Sequence, residues 1–234
     1  MNKKIELTPR LRMVADLVPE NSRLADIGTD HAYLPAALLQ EKHIPWAVAA
    51  DLRPGPLSRA KLTAAEYELT DSISFCLCNG LTGIEPGTAD AITIAGMGGE
   101  TISEILKAAP WTRDLDITLI LQPMSTLPEL RSWLAENGYA IEDEKLAREG
   151  DTVYTALLVR AGSMKKLTPA ELWAGENRRD PLRGLWLDKL IHKTEVALDG
   201  LSRSANEQSA ERASEMREVR SGLLAMKKEW EAWQ

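Results

Sequence analysis

Four short segments carry residue types that can do chemistry together: Asp26-Ile27-Gly28-Thr29-Asp30, Asp51, Asn79-Gly80 and Gly96-Met97-Gly98-Gly99. In the first, Gly28 lets the backbone come close to a ligand, and the start of a following helix offers free N–H groups. A dinucleotide fingerprint needs three glycines and no carboxylate beside the pyrophosphate. This segment has one glycine and an Asp at each end. Those carboxylates would instead attract an ammonium or a sulfonium, so the loop points away from NAD and toward S-adenosylmethionine. Asp51 suits hydrogen bonds to both hydroxyls of a ribose; nearby Arg53 keeps an NADP reading open. Asn79-Gly80 offers an amide to an adenine edge, and Gly96 to Gly99 allow close approach at the point of transfer. Taken singly, Asp-x-Gly and Asn-Gly are common turns, and the glycine run can be a tight strand-to-helix connection. The series carries the reading.

These segments fall where strands should end. Leu24–Ile27, Trp46–Asp51, Ile73–Leu77, Ala89–Ala95 and Ile117–Leu121 are predicted strands. Helices are predicted over Leu7–Leu17, His31–Glu41, Leu57–Leu69, Glu100–Ala109 and Leu127–Glu136, with Pro54-Gly55-Pro56 closing the second strand. Tyr139–Leu146 and Val153–Val159 should form an antiparallel hairpin. The plan is α/β, a parallel sheet finished by antiparallel strands, and ligands bind at the carboxyl ends of such strands. Beyond Ala161 helix formers dominate. Leu187, Ile191, Thr194, Leu198 and Leu201, then Met216, Val219, Leu223, Met226, Trp230 and Trp233, repeat at threes and fours. That spacing predicts a two-helix, coiled-coil-like hairpin broken near Asp199-Gly200 and Ser202–Asn206, with both Trp residues packed in its core. The expected division is 1–162 and 163–234.

Other chemistries lack a motif. His31, His43 and His192 are far apart without metal-ligand spacing, so no metal is expected. Cys76 and Cys78 alternate with Leu77 as packing residues in a reducing compartment. Hydrolase and nucleotidase signatures are missing. The 234-residue chain has 44% hydrophobic residues and no apolar run long enough to span a membrane, and its start does not resemble a signal peptide. A cytoplasmic protein is expected.

At this point Ala25-Asp26-Ile27-Gly28-Thr29-Asp30-His31-Ala32-Tyr33-Leu34-Pro35 and Ile92-Thr93-Ile94-Ala95-Gly96-Met97-Gly98-Gly99 resemble the bacterial tRNA adenine-N1 methyltransferases of the TrmK type, which act on adenosine 22. The likeness runs from Arg10-Leu11-x-x-Val14-Ala15 through Leu121-Gln122-Pro123 to Tyr154. It implies a class I methyltransferase, Rossmann-like domain with a helical tail. It implies that Asp26, Gly28, Thr29, Asp30, His31, Asp51, Asn79, Gly80, Ala95, Gly96 and Met97 surround S-adenosylmethionine. Asp30 would act catalytically, and Arg10, Gly98, Gln122, Pro123, Arg178 and Arg179 would meet the tRNA. A fixed carboxylate at Asp30 would stabilise the cationic ring formed on methylation; its alternative role is to cap the next helix. Two departures stand out: Met124 replaces the Asn of the family's Leu-Gln-Pro-Asn, and Asp51 stands where many relatives carry Glu.

The formal charge of −7 excludes an indiscriminate nucleic-acid coat. It divides into −8 for residues 1–160 and +1 for 161–234. Lys165, Lys166, Arg178, Arg179, Arg183, Lys189 and Lys193, with Lys3, Lys4, Arg10 and Arg12, would supply a confined basic patch, or else merely solvated faces. A methyltransferase acting on a small molecule or another RNA site, and a non-catalytic cofactor-binding scaffold whose tail binds a protein partner, are the competing functions; self-association through the tail is a further expectation.

Overall fold

Seven strands, β1 (Arg23–Ile27), β2 (Trp46–Asp51), β3 (Ile73–Leu77), β4 (Ala91–Gly98), β5 (Thr118–Ser125), β6 (Tyr139–Glu149) and β7 (Thr152–Ala161), form one sheet in the order β3-β2-β1-β4-β5-β7-β6. A computed structural model describes residues 4–176, 179–203 and 207–233. The first five strands pair in parallel, and β7 runs antiparallel to β5 and β6. The chain divides into two compact units, Met1–Met164 and Lys165–Gln234.

Strand side chains alternate between faces, so each parallel strand feeds two cores. Leu24, Ala47, Ala49, Ala91 and Ile120 turn toward α1 (Pro9–Ala15), α2 (Tyr33–Gln40) and α3 (Pro54–Glu66). Ala25, Ile27, Val48, Ala50, Ile92, Ile94, Leu119 and Leu121 turn the other way. They meet α4 (Gly99–Lys107), the short α5 (Trp111–Asp114) and α6 (Leu127–Glu136). Full burial of each such Leu or Ile contributes about 1.5–3 kcal/mol.

Three local expectations change. Pro54-Gly55-Pro56 opens α3 instead of closing a strand, because a proline at the first helical position loses no intrahelical bond. The fourth and fifth strands extend through Gly98 and Ser125. Pro123 is tolerated inside β5 because β7 pairs with that strand only along Leu119–Leu121 and the ladder to β4 is irregular there. Helix α5 has only four residues, too few to show a periodicity.

The second unit contains α7 (Pro169–Ala174), α8 (Arg183–Ser202) and α9 (Glu207–Glu231). Gly200 lies inside α8, so the expected break falls later; residues 204–206 are outside the described segments. Asp188 pairs with Lys227 and Glu195 with Arg220 (2.9 Å), which runs the last two helices antiparallel. Leu187, Ile191, Val219 and Leu223 are buried between them, with Ala170 and Ala174 of α7. Trp230 packs over Gly184, where a Cβ would lie 2.5 Å from its ring. Trp233, by contrast, is 67% exposed: α9 ends at Glu231 and its seam ends with it.

Candidate active site

The chain runs outward from β1 to β3 and then returns to β4 on the other side of β1. The strand order therefore reverses between β1 and β4, where open α/β sheets bind ligands at their carboxyl ends. The loop after β1 is fastened to β2: the N–H groups of Gly28 and Thr29 donate to the Ala50 carbonyl at 2.8 and 3.0 Å. Cys78 N–H donates to the Asp51 carbonyl at 3.0 Å and ties the β3 end to the same row. Asp26, Gly28, Thr29, Asp51 and Gly96 are thus brought along one edge of the sheet. Gly28 has φ +79°, and a Cβ there would run into the methyl of Met97, so a larger residue would be strained and would displace that side chain.

Asp26 is 7% exposed and accepts a hydrogen bond from the hydroxyl of Thr93 at 2.7 Å. Burial holds its pKa above the ordinary carboxylate range, opposed by the Thr29 and Thr93 hydroxyls. Thr29 Oγ1 is buried and close enough to Asp26 to be felt, yet makes no hydrogen bond of good geometry. A buried carboxylate short of positive charge, beside an unsatisfied hydroxyl, fits a ligand carrying an ammonium group. Asp51 is also buried and takes the N–H of Arg53 at 2.7 Å.

Asp30 is exposed and ion-paired. Arg59 of α3 meets one carboxylate oxygen, and His31 Nε2 lies 3.5 Å from the other. The hydrogen bond from Arg59 holds the Asp30 pKa below the usual range, with His31 and Arg53 adding to the effect. Asp30 does not cap the following helix: the N-cap is Ala32, in the left-handed region at φ 53° and without a side-chain hydrogen bond. His31 stacks on Tyr33 with ring centroids 5.3 Å apart.

Gly96 has φ +78° and sits at a register shift between β4 and β5. Its N–H donates to Gln122 Oε1 at 3.2 Å, and Arg10 Nη1 donates to the same oxygen at 2.8 Å. Gln122 is fully buried, and its amide nitrogen donates to the Pro123 carbonyl at 2.9 Å. Arg10 also lies over the Tyr154 ring, and its N–H donates to Glu149 at 2.8 Å. Arg10 and Gln122, expected to meet RNA, are joined in a strut that holds the Gly96 bulge. Gly98 faces Ser125, Pro123 is buried, and Met124 is half exposed, with its sulfur 3.6 Å from the Gln122 nitrogen.

At the β3 end, Asn79 is exposed, and Gly80 packs on Ile105, where a Cβ would lie 2.9 Å away. The thiols of Cys76 and Cys78 point to the Gly83 and Gly80 carbonyls, and burial first of all pushes Cys78 up to about 11, which leaves it a thiol. Ala95 is half-buried on β4.

Part of the basic cluster of the tail is committed to packing and ion pairs. Arg183 is buried, donating to the carbonyls of Ala174 and Gly175; Lys165 is paired with Glu171 and Glu176; Lys193 lies over the Trp173 ring. Packing thus buries Arg183 and pairing offsets Lys165, while Lys166 and Lys193 are exposed. Arg179 is exposed, and Arg178 and Lys3 lie outside the described residues. Thr93 and Arg59 were not singled out from the sequence. A Thr within the apolar run Ala91–Ile94 was a usable sign of the first; nothing local marks Arg59, which reaches Asp30 across 29 positions. Among the described residues no group of His, Cys, Asp and Glu could hold a metal, and no helix is long and apolar enough to cross a membrane.

Fold and site together define a methyltransferase, and the family model described as a methyltransferase domain matches residues 7–157. The tRNA (adenine(22)-N(1))-methyltransferase of Bacillus subtilis is 38% identical over 159 residues, covering 68% of this chain and 67% of that one. The crystal structure of the B. subtilis M1A22 tRNA methyltransferase TrmK superimposes with a TM-score of 0.84 at 30% identity, covering 96% of this chain and 100% of that one. TrmK of M. capricolum, solved with the cofactor product S-adenosyl-homocysteine, gives 0.83 at 27% identity over 94% and 99% of the two chains. The chain belongs to the tRNA (adenine(22)-N(1))-methyltransferase family.

Proposed function

We propose that this chain transfers a methyl group from S-adenosylmethionine to N1 of adenosine 22 in tRNA. The observation that carries the reading is the β1 loop, which sets a buried, charge-starved Asp26 and an exposed, ionised Asp30 four residues apart at the switch point. Asp26 and Thr29 would receive the ammonium of the cofactor, Asp51 its ribose, and Gly28, Gly80, Ala95, Gly96 and Met97 its remaining surface, with Asn79 at the adenine edge. When bound, the cofactor supplies a methyl group made electrophilic by its sulfonium.

The residues of the chain do the rest. Adenine N1 already bears a lone pair, so no general base has to create a nucleophile. The ring becomes cationic as the new bond forms, and the Asp30 carboxylate stabilises that growing charge. His31 and Tyr33 flank Asp30 with a stacked pair. Gly98 and Pro123 border the acceptor side, and the Arg10–Gln122 strut fixes the Gly96 bulge, so that positioning adds to the effect of charge. The unit Met1–Met164 carries this chemistry, and Lys165–Gln234 contributes to holding the RNA, with Arg179 on its exposed surface.

Mass spectrometry of nucleosides from an unmodified tRNA transcript treated with the chain and S-adenosylmethionine tests the proposal. N1-methyladenosine at position 22 is expected, and Asp30→Ala should abolish it while leaving the melting temperature in place. Absence of methylated adenosine with the unaltered chain would overturn the reading.

A further inference from the structure

Asp30 stands exposed, and Asp26 and Asp51 buried behind it, at the strand ends where the proposed acceptor would approach, on a unit that is itself negative. Phosphates are repelled there unless a cation meets them. The same place holds a second conflict. A carboxylate already matched by a guanidinium stabilises a cationic base poorly, because the guanidinium neutralises the field that the base should feel. Asp30 is in that position, with Arg59 on one oxygen and His31 near the other.

One exchange resolves both conflicts. Resting on the function proposed above, we propose that Arg59 is a tRNA phosphate-binding residue, and that its ion pair with Asp30 is given up for a backbone phosphate when the RNA docks. The geometry suits the exchange. Both side chains are open to solvent, Arg59 at 46% and Asp30 at 63%, so the pair is cheap to break. Arg59 sits in the second turn of α3, and its long side chain can turn from Asp30 toward solvent without moving the helix. A guanidinium presents paired donors to phosphate oxygens as readily as to a carboxylate. Arg53, at the head of the same helix, is held 4.0 Å from Asp51 and lies within electrostatic reach of Asp30, so it offsets the remaining carboxylate on this rim. Substrate docking thereby releases the Asp30 carboxylate to the base at the moment it is needed.

The test is a double-mutant cycle on tRNA affinity, measured with the full chain and an unmodified transcript over a range of salt concentrations. Arg59→Ala should weaken binding about tenfold, as for loss of one charge-assisted contact, and flatten the salt dependence by about one ion. Arg59→Lys should recover most of that loss. Asp30→Asn frees Arg59 and should tighten binding severalfold, and this gain should vanish in the Arg59→Ala background. Calorimetric titration with S-adenosylmethionine reports whether each variant is folded, and its affinity should stay within about twofold in Arg59→Ala. Unchanged tRNA affinity and salt slope in Arg59→Ala, with only turnover reduced, would overturn the exchange and leave Arg59 as a strut for Asp30. A gain from Asp30→Asn that persists without Arg59 would also overturn it, since simple relief of repulsion then explains the effect. If the unaltered chain neither binds nor methylates the transcript, the function reading fails and the exchange with it; failure of the exchange alone leaves methylation by the unaltered chain intact.

Discussion

At the scale of residues, two aspartates four positions apart on one loop are driven in opposite directions by their surroundings. Burial raises the pKa of Asp26, and the Arg59 hydrogen bond lowers that of Asp30. The sign for Asp26 has a measurable consequence. A carboxylate whose folded pKa is raised binds its proton more readily in the folded state, so the stability it contributes is present at low pH and lost as pH rises through the raised value. Ionising Asp26 in the ligand-free chain therefore costs stability. Asp26→Asn, which keeps an acceptor for Thr93, should raise the melting temperature by about 2–4 °C at pH 7. The gain should fade as the pH is lowered and the Asp26 carboxylate takes up its proton, and the stabilisation given by S-adenosylmethionine should be lost. Differential scanning calorimetry with and without the cofactor measures both. The placement of Asp26 and Asp51 was legible in the sequence because each falls within the last two residues of its own strand. The partners of Asp30, Arg10 and Gln122 were not, since residues 29 and 112 positions apart meet only through packing.

At the scale of elements, the ends of helices and strands decide the site. The N-terminus of α4 is set against that of α6 by Gly99, where a Cβ would lie 2.5 Å from the Thr126 carbonyl oxygen and 3.1 Å from Leu130 Cβ. A backbone atom cannot turn aside as a side chain can. Gly99→Ala should cost about 1–3 kcal/mol, seen as a lowered urea midpoint with unchanged slope. Strands β2 and β3 and helix α6 have the limits that their sequence implies, because apolar runs bounded by turn residues mark both ends. The extensions of β4 and β5 were hidden behind Gly96-Met97-Gly98 and Pro123, which read as loop. They become strand because the Gln122 side chain takes the N–H that the bulge leaves out of the ladder. Helix α7 had a sign that went unused: Thr168-Pro169-Ala170-Glu171 is a capping box, with Thr168 Oγ1 accepting the Glu171 N–H at 3.2 Å and Glu171 accepting the Thr168 N–H at 2.7 Å.

At the scale of the whole molecule, the hydrophobic residues of the second unit form a cluster of their own, apart from the two clusters that flank the sheet. Leu223 is fully buried in that cluster. Leu223→Ala should remove about 2–5 kcal/mol from the helical unit, lowering its helical melting transition by circular dichroism. Affinity for S-adenosylmethionine, measured by calorimetry, should remain within about twofold. By itself the sequence determined the class of protein, the alternation of strand and helix, and the acidic loop ends. In a parallel sheet each crossover returns the chain to the same edge, so residues that follow successive strands are gathered there whatever the details of packing. Only the tertiary structure decided which charges are free to act. The rotation of α3 sets Arg59 against Asp30, the bulge in β4 commits Gln122 and Arg10 to holding Gly96, and the packing of α7, α8 and α9 buries Arg183. Side-chain partners of this kind depend on helix rotation and strand register, which no local run of residues encodes.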